Sequence, residues 1–158
     1  HQIALRSRKL ANLVKKCRDI PGQDLFQYYD DAGNRHSIGS ADVNQYLKSA
    51  TDEDFTAKDF RVWAGSVQAL CGFREVGEPS NDSDCRHKIV SVLDSVAKKL
   101  GNTRTVCRKY YVHPTVIAAY EHGTLWQYEA NTGDGSLDEP ERALVTLLEN
   151  EALPAVVA

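Results

Sequence analysis

No apolar run in the 158-residue chain approaches the roughly 20 residues that a membrane-crossing helix requires. The longest stretches, such as Ala152 to Ala158, are far shorter. His1 to Lys16 interleaves charges with apolar residues and lacks an uninterrupted hydrophobic core followed by a small-residue cleavage site, so no secretory signal is read there. Cysteine is sparse. Cys17, Cys71, Cys85 and Cys107 lie far apart and form no C-x-x-C pair, which excludes both a zinc-site spacing and a small disulfide framework. Reduced, intracellular thiols and a cytoplasmic location are the expectation. His113 and His122 stand nine residues apart with no acidic or cysteine partner nearby, so they do not form a metal-binding pair. Internal repeats and low-complexity tracts are missing as well. So is the profile of disorder, because 42% of the residues are hydrophobic and 26% charged, as in ordinary folded proteins. The length suits one compact unit with a real core.

The net charge of −3 would argue against a nucleic-acid partner if it were evenly spread, but it is not. Residues 1–120 hold 18 Lys/Arg against 14 Asp/Glu, while residues 121–158 hold one against eight. The acidity belongs to the tail. Within the basic part, Arg6, Arg8, Lys9, Lys15, Lys16 and Arg18 form one cluster, and Lys98, Lys99, Arg104, Arg108 and Lys109 form another. Both can meet phosphates on a local surface.

Hydrophobic spacing predicts a mainly α protein with a small β portion near the N-terminus. Leu10, Leu13, Val14 and Cys17 share a helical face over about Arg8 to Arg18, and Ile20-Pro21-Gly22 stops that helix. Leu25 to Tyr29 reads as a short strand leading through Asp30-Asp31-Ala32-Gly33-Asn34 into a hairpin that ends near Ile38. A second helix follows Ser40, with Ser40 and Asp42 suited to its N-terminus. A third begins at Ala57 after Thr56, with Phe60, Trp63, Ala64 and Val67 on its expected buried side and Lys58 and Arg61 on a neighbouring face. Gly77 to Asp84 reads as a loop. From Cys85 to Leu100, Ile89, Val92, Leu93, Val96, Ala97 and Leu100 keep a helical period, and Gly101 with Asn102 can end that helix in left-handed geometry. Val112 to His122 and Glu141 to Leu148 supply the last helices, with Asn131 to Ser136 as a flexible connection.

Two segments carry a family resemblance. Thr56-Ala57-Lys58-Asp59-Phe60-Arg61-Val62-Trp63-Ala64-Gly65 resembles the helix of type IB DNA topoisomerases, of the bacterial and poxvirus-like branch, that supplies a phosphate-binding arginine, and Arg61 matches that arginine. Leu100-Gly101-Asn102-Thr103-Arg104-Thr105-Val106-Cys107-Arg108-Lys109-Tyr110-Tyr111 resembles the closing motif of that family, in which a His or Asn precedes the nucleophilic tyrosine by nine positions. Asn102 and Tyr111 have that interval, which selects Tyr111 over Tyr110. Asp19 to Leu47 is similar to the bacterial branch too, so the likeness runs to about Tyr120.

The resemblance implies the multi-helix catalytic fold shared by type IB topoisomerases and tyrosine recombinases, with residues 1–158 as the C-terminal part of the catalytic domain. It implies relaxation of supercoiled double-stranded DNA by a monomer, through a 3′-phosphotyrosyl intermediate, without cofactor or metal. A phenol with a pKa near 10 is a poor nucleophile at neutral pH until positive charge stabilises its ionised form and the pentavalent phosphorus. Arg61 would supply that charge through two parallel hydrogen bonds to the non-bridging oxygens. Asn102 would add a neutral amide donor. Lys58 resembles a family lysine that helps protonate the leaving 5′ oxygen. Cys107 sits beside Arg108 and Lys109, which would lower its pKa, but the chemistry needs no thiol and it receives no role.

The family uses a further arginine, and a further lysine on a hairpin that precedes the region resembled. Neither is matched here, and Lys9, Lys15 and Lys16 do not fit the hairpin motif. The N-terminal DNA clamp of the family is also unmatched. The expectation is a piece of a longer enzyme, in keeping with a start at His1 rather than Met, with too few catalytic groups for efficient relaxation on its own. Two rivals remain. A tyrosine recombinase shares the fold and chemistry but usually carries H-x-x-R where this chain has Lys58-Asp59-Phe60-Arg61. A non-catalytic helical DNA-binding module would keep the fold without the reaction.

Overall fold

The computed structural model describes residues 6–22, 24–128 and 137–150. The expected connection at Asn131 to Ser136 lies outside them. The fold is mainly α, with seven α-helical segments and one two-stranded antiparallel sheet among the described residues. The chain divides into two compact units at Ala57/Lys58.

The N-terminal unit holds α1 (Arg8–Arg18), β1 (Gln27–Tyr29), β2 (Arg35–Ser37) and α2 (Ser40–Thr51). Ser7 caps α1 by accepting from the Leu10 N–H at 3.3 Å, so the helix has the predicted limits. Its apolar stripe is not buried, however, because Leu10, Leu13 and Val14 are each at least two-fifths exposed. Polar groups hold the hairpin instead. Asp30 accepts from the Asn34 N–H at 2.7 Å and meets His36 at 2.9 Å, and the His36 contact is the first cause holding its carboxyl below the usual range. Gln27, nearly fully buried, donates to the Ile20 carbonyl at 3.0 Å. At the start of α2 the cap residue is Gly39, whose N–H donates to Asp42 at 2.8 Å, while Ser40 is already helical.

The C-terminal unit carries the core. α3 (Ala57–Val76), α4 (Asp82–Leu100), α6 (Pro114–Glu121) and α7 (Glu139–Asn150), with the short α5 (Arg104–Val106) between α4 and α6, pool Leu70, Phe73, Leu93, Val96, Val116, Tyr120, Leu144 and Leu147 with Leu125 of the 3-10 turn that follows α6, all essentially inaccessible to water. α4 starts three residues earlier than expected because Asn81 accepts from the Asp84 N–H at 3.0 Å, converting the end of the expected loop into a capped first turn. The buried face of α3 also differs from expectation. Gly65, Ser66, Ala69, Leu70 and Phe73 are buried, Trp63 and Val67 only partly, and Phe60 is half exposed. Small residues lie at the closest approach, where an apolar-only pattern does not register them. α7 is tied back to α3 by hydrogen bonds from Trp63 Nε1 to Glu141 at 3.0 Å and from Arg74 to Glu139 at 2.9 Å. The Trp63 bond is the first cause that lowers the Glu141 carboxyl pKa.

Tyr120 links this core to the chain reversal after α3. Its ring stacks on Phe73 at 4.3 Å between centroids, and its hydroxyl donates to the Gly77 carbonyl at 3.0 Å. Tyr120→Phe keeps the stack and deletes the bond, so unfolding in urea is expected to show a loss of about 1–2 kcal/mol. Burial pushes the phenol up to about 12 from an ordinary 10.0. A pKa raised on folding stabilises fully below the unfolded value and loses that contribution as pH rises through the folded one. The stability difference between parent and Tyr120→Phe should therefore shrink as pH climbs from about 10 toward 12.

Candidate active site

Leu100 ends α4, and Gly101 at φ 63° reverses the chain, with its N–H reaching the Ala97 and Lys98 carbonyls. A side chain with a Cβ is strained in that left-handed geometry. The Asn102 N–H bonds Ala97 O at 2.9 Å, completing the cap and turning the Asn102 side chain back toward Leu100. There the Leu100 carbonyl accepts twice, from Asn102 Nδ2 at 3.2 Å and from an Arg61 terminal nitrogen at 2.9 Å. Arg61 and Asn102, 41 positions apart in sequence, thus converge on one oxygen.

The tyrosine arrives by a turn that the sequence did not predict. After Thr103 caps α5 by accepting from the Val106 N–H, residues Cys107–Tyr111 form a π-helical turn, closed by the Val112 N–H on the Cys107 carbonyl at 2.9 Å. One wide turn shifts the angular position of every following side chain, and such turns are frequent at functional sites. Here it places the Tyr111 ring under Arg61, with the guanidinium carbon 4.8 Å from the ring centroid. Tyr111 is partly buried and Tyr110 is exposed. Tyr110 faces two ammonium groups instead, Lys58 at 5.8 Å and Lys109 at 5.1 Å. Arg61, Asn102 and Tyr111 are therefore brought together, while Lys58, exposed one turn earlier on α3, sits over the neighbouring tyrosine. The Arg61 Nε is buried without a hydrogen-bond partner among the described residues.

Cys107 is fully buried at the base of the turn, and burial pushes its thiol up, with Arg61 a smaller opposing influence. This corrects the expectation that Arg108 and Lys109 lower it. Those two side chains point outward, and with Arg104, Thr105, Val90 and Leu93 they line an open groove of about 410 Å³. Arg104 also pairs with Asp94 at 3.0 Å. His113 is the cap of α6, its Nδ1 accepting from the Thr115 N–H at 3.3 Å, and burial lowers its pKa, which favours the neutral ring that can accept. No cluster of His, Cys, Asp or Glu able to hold a metal occurs among the described residues.

Two residues escaped the sequence analysis. A Cβ on Gly65 would lie 2.2 Å from the Tyr111 carbonyl oxygen, and the buried Ser66 Oγ accepts from the His113 N–H at 2.9 Å. A glycine inside a long helix costs about 1 kcal/mol relative to alanine, which was the available signal of a packing reason.

A family model described as eukaryotic DNA topoisomerase I, catalytic core, matches residues 1–132. The chain belongs to the topoisomerase I catalytic-core family, and α7 lies beyond the matched region. It is also similar to a DNA topoisomerase 1B of Acanthamoeba polyphaga mimivirus, 27% identical over 128 residues. That alignment covers 77% of this chain and 38% of the relative.

Proposed function

We propose that this chain is the tyrosine-bearing part of a type IB DNA topoisomerase that relaxes supercoiled double-stranded DNA, acting as a monomer. The observation that carries this reading is the position of the Arg61 guanidinium over the Tyr111 ring while Asn102 shares the Leu100 carbonyl with it. In the reaction, Tyr111 Oη attacks the scissile phosphorus, and the bond from phosphorus to the 5′ oxygen breaks. A 3′-phosphotyrosyl linkage and a free 5′ hydroxyl result. Rotation of the free strand end and reversal of the same step restore the duplex with fewer supercoils.

Arg61 is the electrostatic catalyst. One terminal nitrogen bonds Leu100, and the remaining terminal N–H groups of the guanidinium are the donors for the non-bridging oxygens. Asn102 holds one amide hydrogen to Leu100 and has a second for the same phosphoryl group. Lys58, at the solvent edge, is the candidate proton donor to the 5′ oxygen. The topoisomerase reading is favoured over a recombinase by the Lys58-to-Arg61 tetrad, which has lysine where recombinases usually have histidine. All four cysteines are free, which suits a reducing compartment such as the cytoplasm. No helix among the described residues is long and apolar enough to cross a membrane.

The test uses the complete enzyme that carries this chain. Arginine performs the charge stabilisation that a metal ion would otherwise supply, so plasmid relaxation should persist in EDTA, and detergent should trap protein on a 3′ DNA end. Relaxation that stops in EDTA overturns the reading, as does strand exchange between two duplexes as the main product. Exposed Arg8, Lys9, Lys98, Lys99, Arg108 and Lys109 lead us to expect DNA affinity to fall steeply between 50 and 200 mM salt, by about 10³-fold if six phosphates are contacted.

A further inference from the structure

α3 meets the tyrosine segment at three successive points. Arg61 and Gly65 are four residues apart and share one face of α3, with Ser66 beside Gly65. The Arg61 side chain covers the Tyr111 ring. Gly65 lies so close to the Tyr111 main chain that an added Cβ would stand 2.2 Å from its carbonyl oxygen, 3.0 Å from its carbonyl carbon and 3.3 Å from Leu100 Cδ1. No real Cβ tolerates backbone at 2.2 Å, so any larger residue must push the tyrosine segment away. Ser66, 1% exposed, then takes the His113 N–H at 2.9 Å, across 47 positions of sequence. That N–H sits just where the π-turn has ended and α6 has not begun. On either side of Tyr111 the segment is also sunk in the core through Cys107 and Val112.

We propose that Gly65 and Ser66 are positioning residues for the reaction, fixing the backbone on the C-terminal side of Tyr111 so that its ring sits in register with Arg61. This rests on the proposed role of Tyr111. The physical case is that a π-turn is a weak local structure, with poorer packing along its axis than an α-turn, and it keeps its register only where the surroundings over-determine it. Gly65 removes the steric barrier to that register, and Ser66 supplies the hydrogen bond that holds it. Since both stand on the helix that carries Arg61, any movement of α3 takes the clamp and the nucleophile along together.

The experiment introduces Ser66→Ala, Gly65→Ala and Tyr111→Phe separately into the complete enzyme. It measures the single-turnover rate of covalent capture on an oligonucleotide duplex whose cleaved end diffuses away, the Kd for the same duplex without cleavage, and the folded fraction. A shift of about 1 Å in a reacting group can slow a reaction about 10²-fold, so Gly65→Ala should lose about that factor and Ser66→Ala about tenfold, with Kd changed less than about twofold. Parent-like cleavage by both variants overturns the proposal. So does a loss of rate that merely follows a loss of folded protein or of DNA affinity, because the residues would then be structural only. Capture that persists in Tyr111→Phe instead overturns the role of Tyr111, whereas an inert Tyr111→Phe beside parent-like Ser66 and Gly65 variants overturns this inference alone.

Discussion

Tyr111→Phe in the complete enzyme is expected to abolish covalent capture of DNA and plasmid relaxation, a fall of at least about 10⁴-fold, since deleting a nucleophile leaves only binding and charge stabilisation. Tyr110→Phe is expected to stay within about threefold of the parent, because the phenyl face that meets Lys58 and Lys109 is retained. The two hydroxyls are adjacent in sequence but differ in surroundings, one ring lying under Arg61 and the other exposed between two ammonium groups. Denaturing gels of radiolabelled duplex measure both variants directly. A covalent adduct formed by Tyr111→Phe at the parental rate would transfer the role to another side chain.

Arg61→Ala should slow single-turnover cleavage by about 10²–10³, the range for removing one preorganised donor from a developing oxyanion. The fold should survive, since the Leu100 carbonyl keeps its Asn102 donor and the cap at Gly101 is made by backbone groups. Arg61→Lys should not restore the rate. An ammonium offers a point charge without the planar fork, and the guanidinium contact over the Tyr111 ring is lost with it. Measuring Kd beside the cleavage rate separates the two uses of the charge, because an arginine used only to bind DNA would weaken affinity and leave the rate constant intact. That outcome would remove Arg61 from the chemistry.

Much of the fold was legible because its signals are short-ranged. The span of α1 follows from a helical period and the Ile20-Pro21-Gly22 stop, and the left-handed end of α4 follows from Gly101. The early start of α4 at Asp82 is not legible because Asn81, Asp82 and Ser83 favour turns and caps alike, and only the completed Asn81 hydrogen bond distinguishes them. The buried side of α3 is not the one its large apolar residues mark, since Gly65, Ser66 and Ala69 contribute little hydrophobicity yet face the tyrosine segment and the core. The three-residue α5 and the five-residue π-turn left no periodic trace, being too short to repeat a helical pattern over successive turns.

The sequence by itself determined that this is a mainly α protein, that Asn102 and Tyr111 stand nine positions apart, and that Lys58 and Arg61 share a helix, because spacing along one segment is a local property. Only the tertiary structure decided that Arg61 reaches the Leu100 carbonyl 39 positions away, that its guanidinium covers Tyr111 rather than Tyr110, and that Gly65 and Ser66 hold the backbone between them. The reason is that which of two adjacent rings comes to lie under Arg61 depends on the angle at which each leaves the chain. That angle is set by one wide turn and by the helix packed against it, neither of which is written in the spacing of the residues concerned.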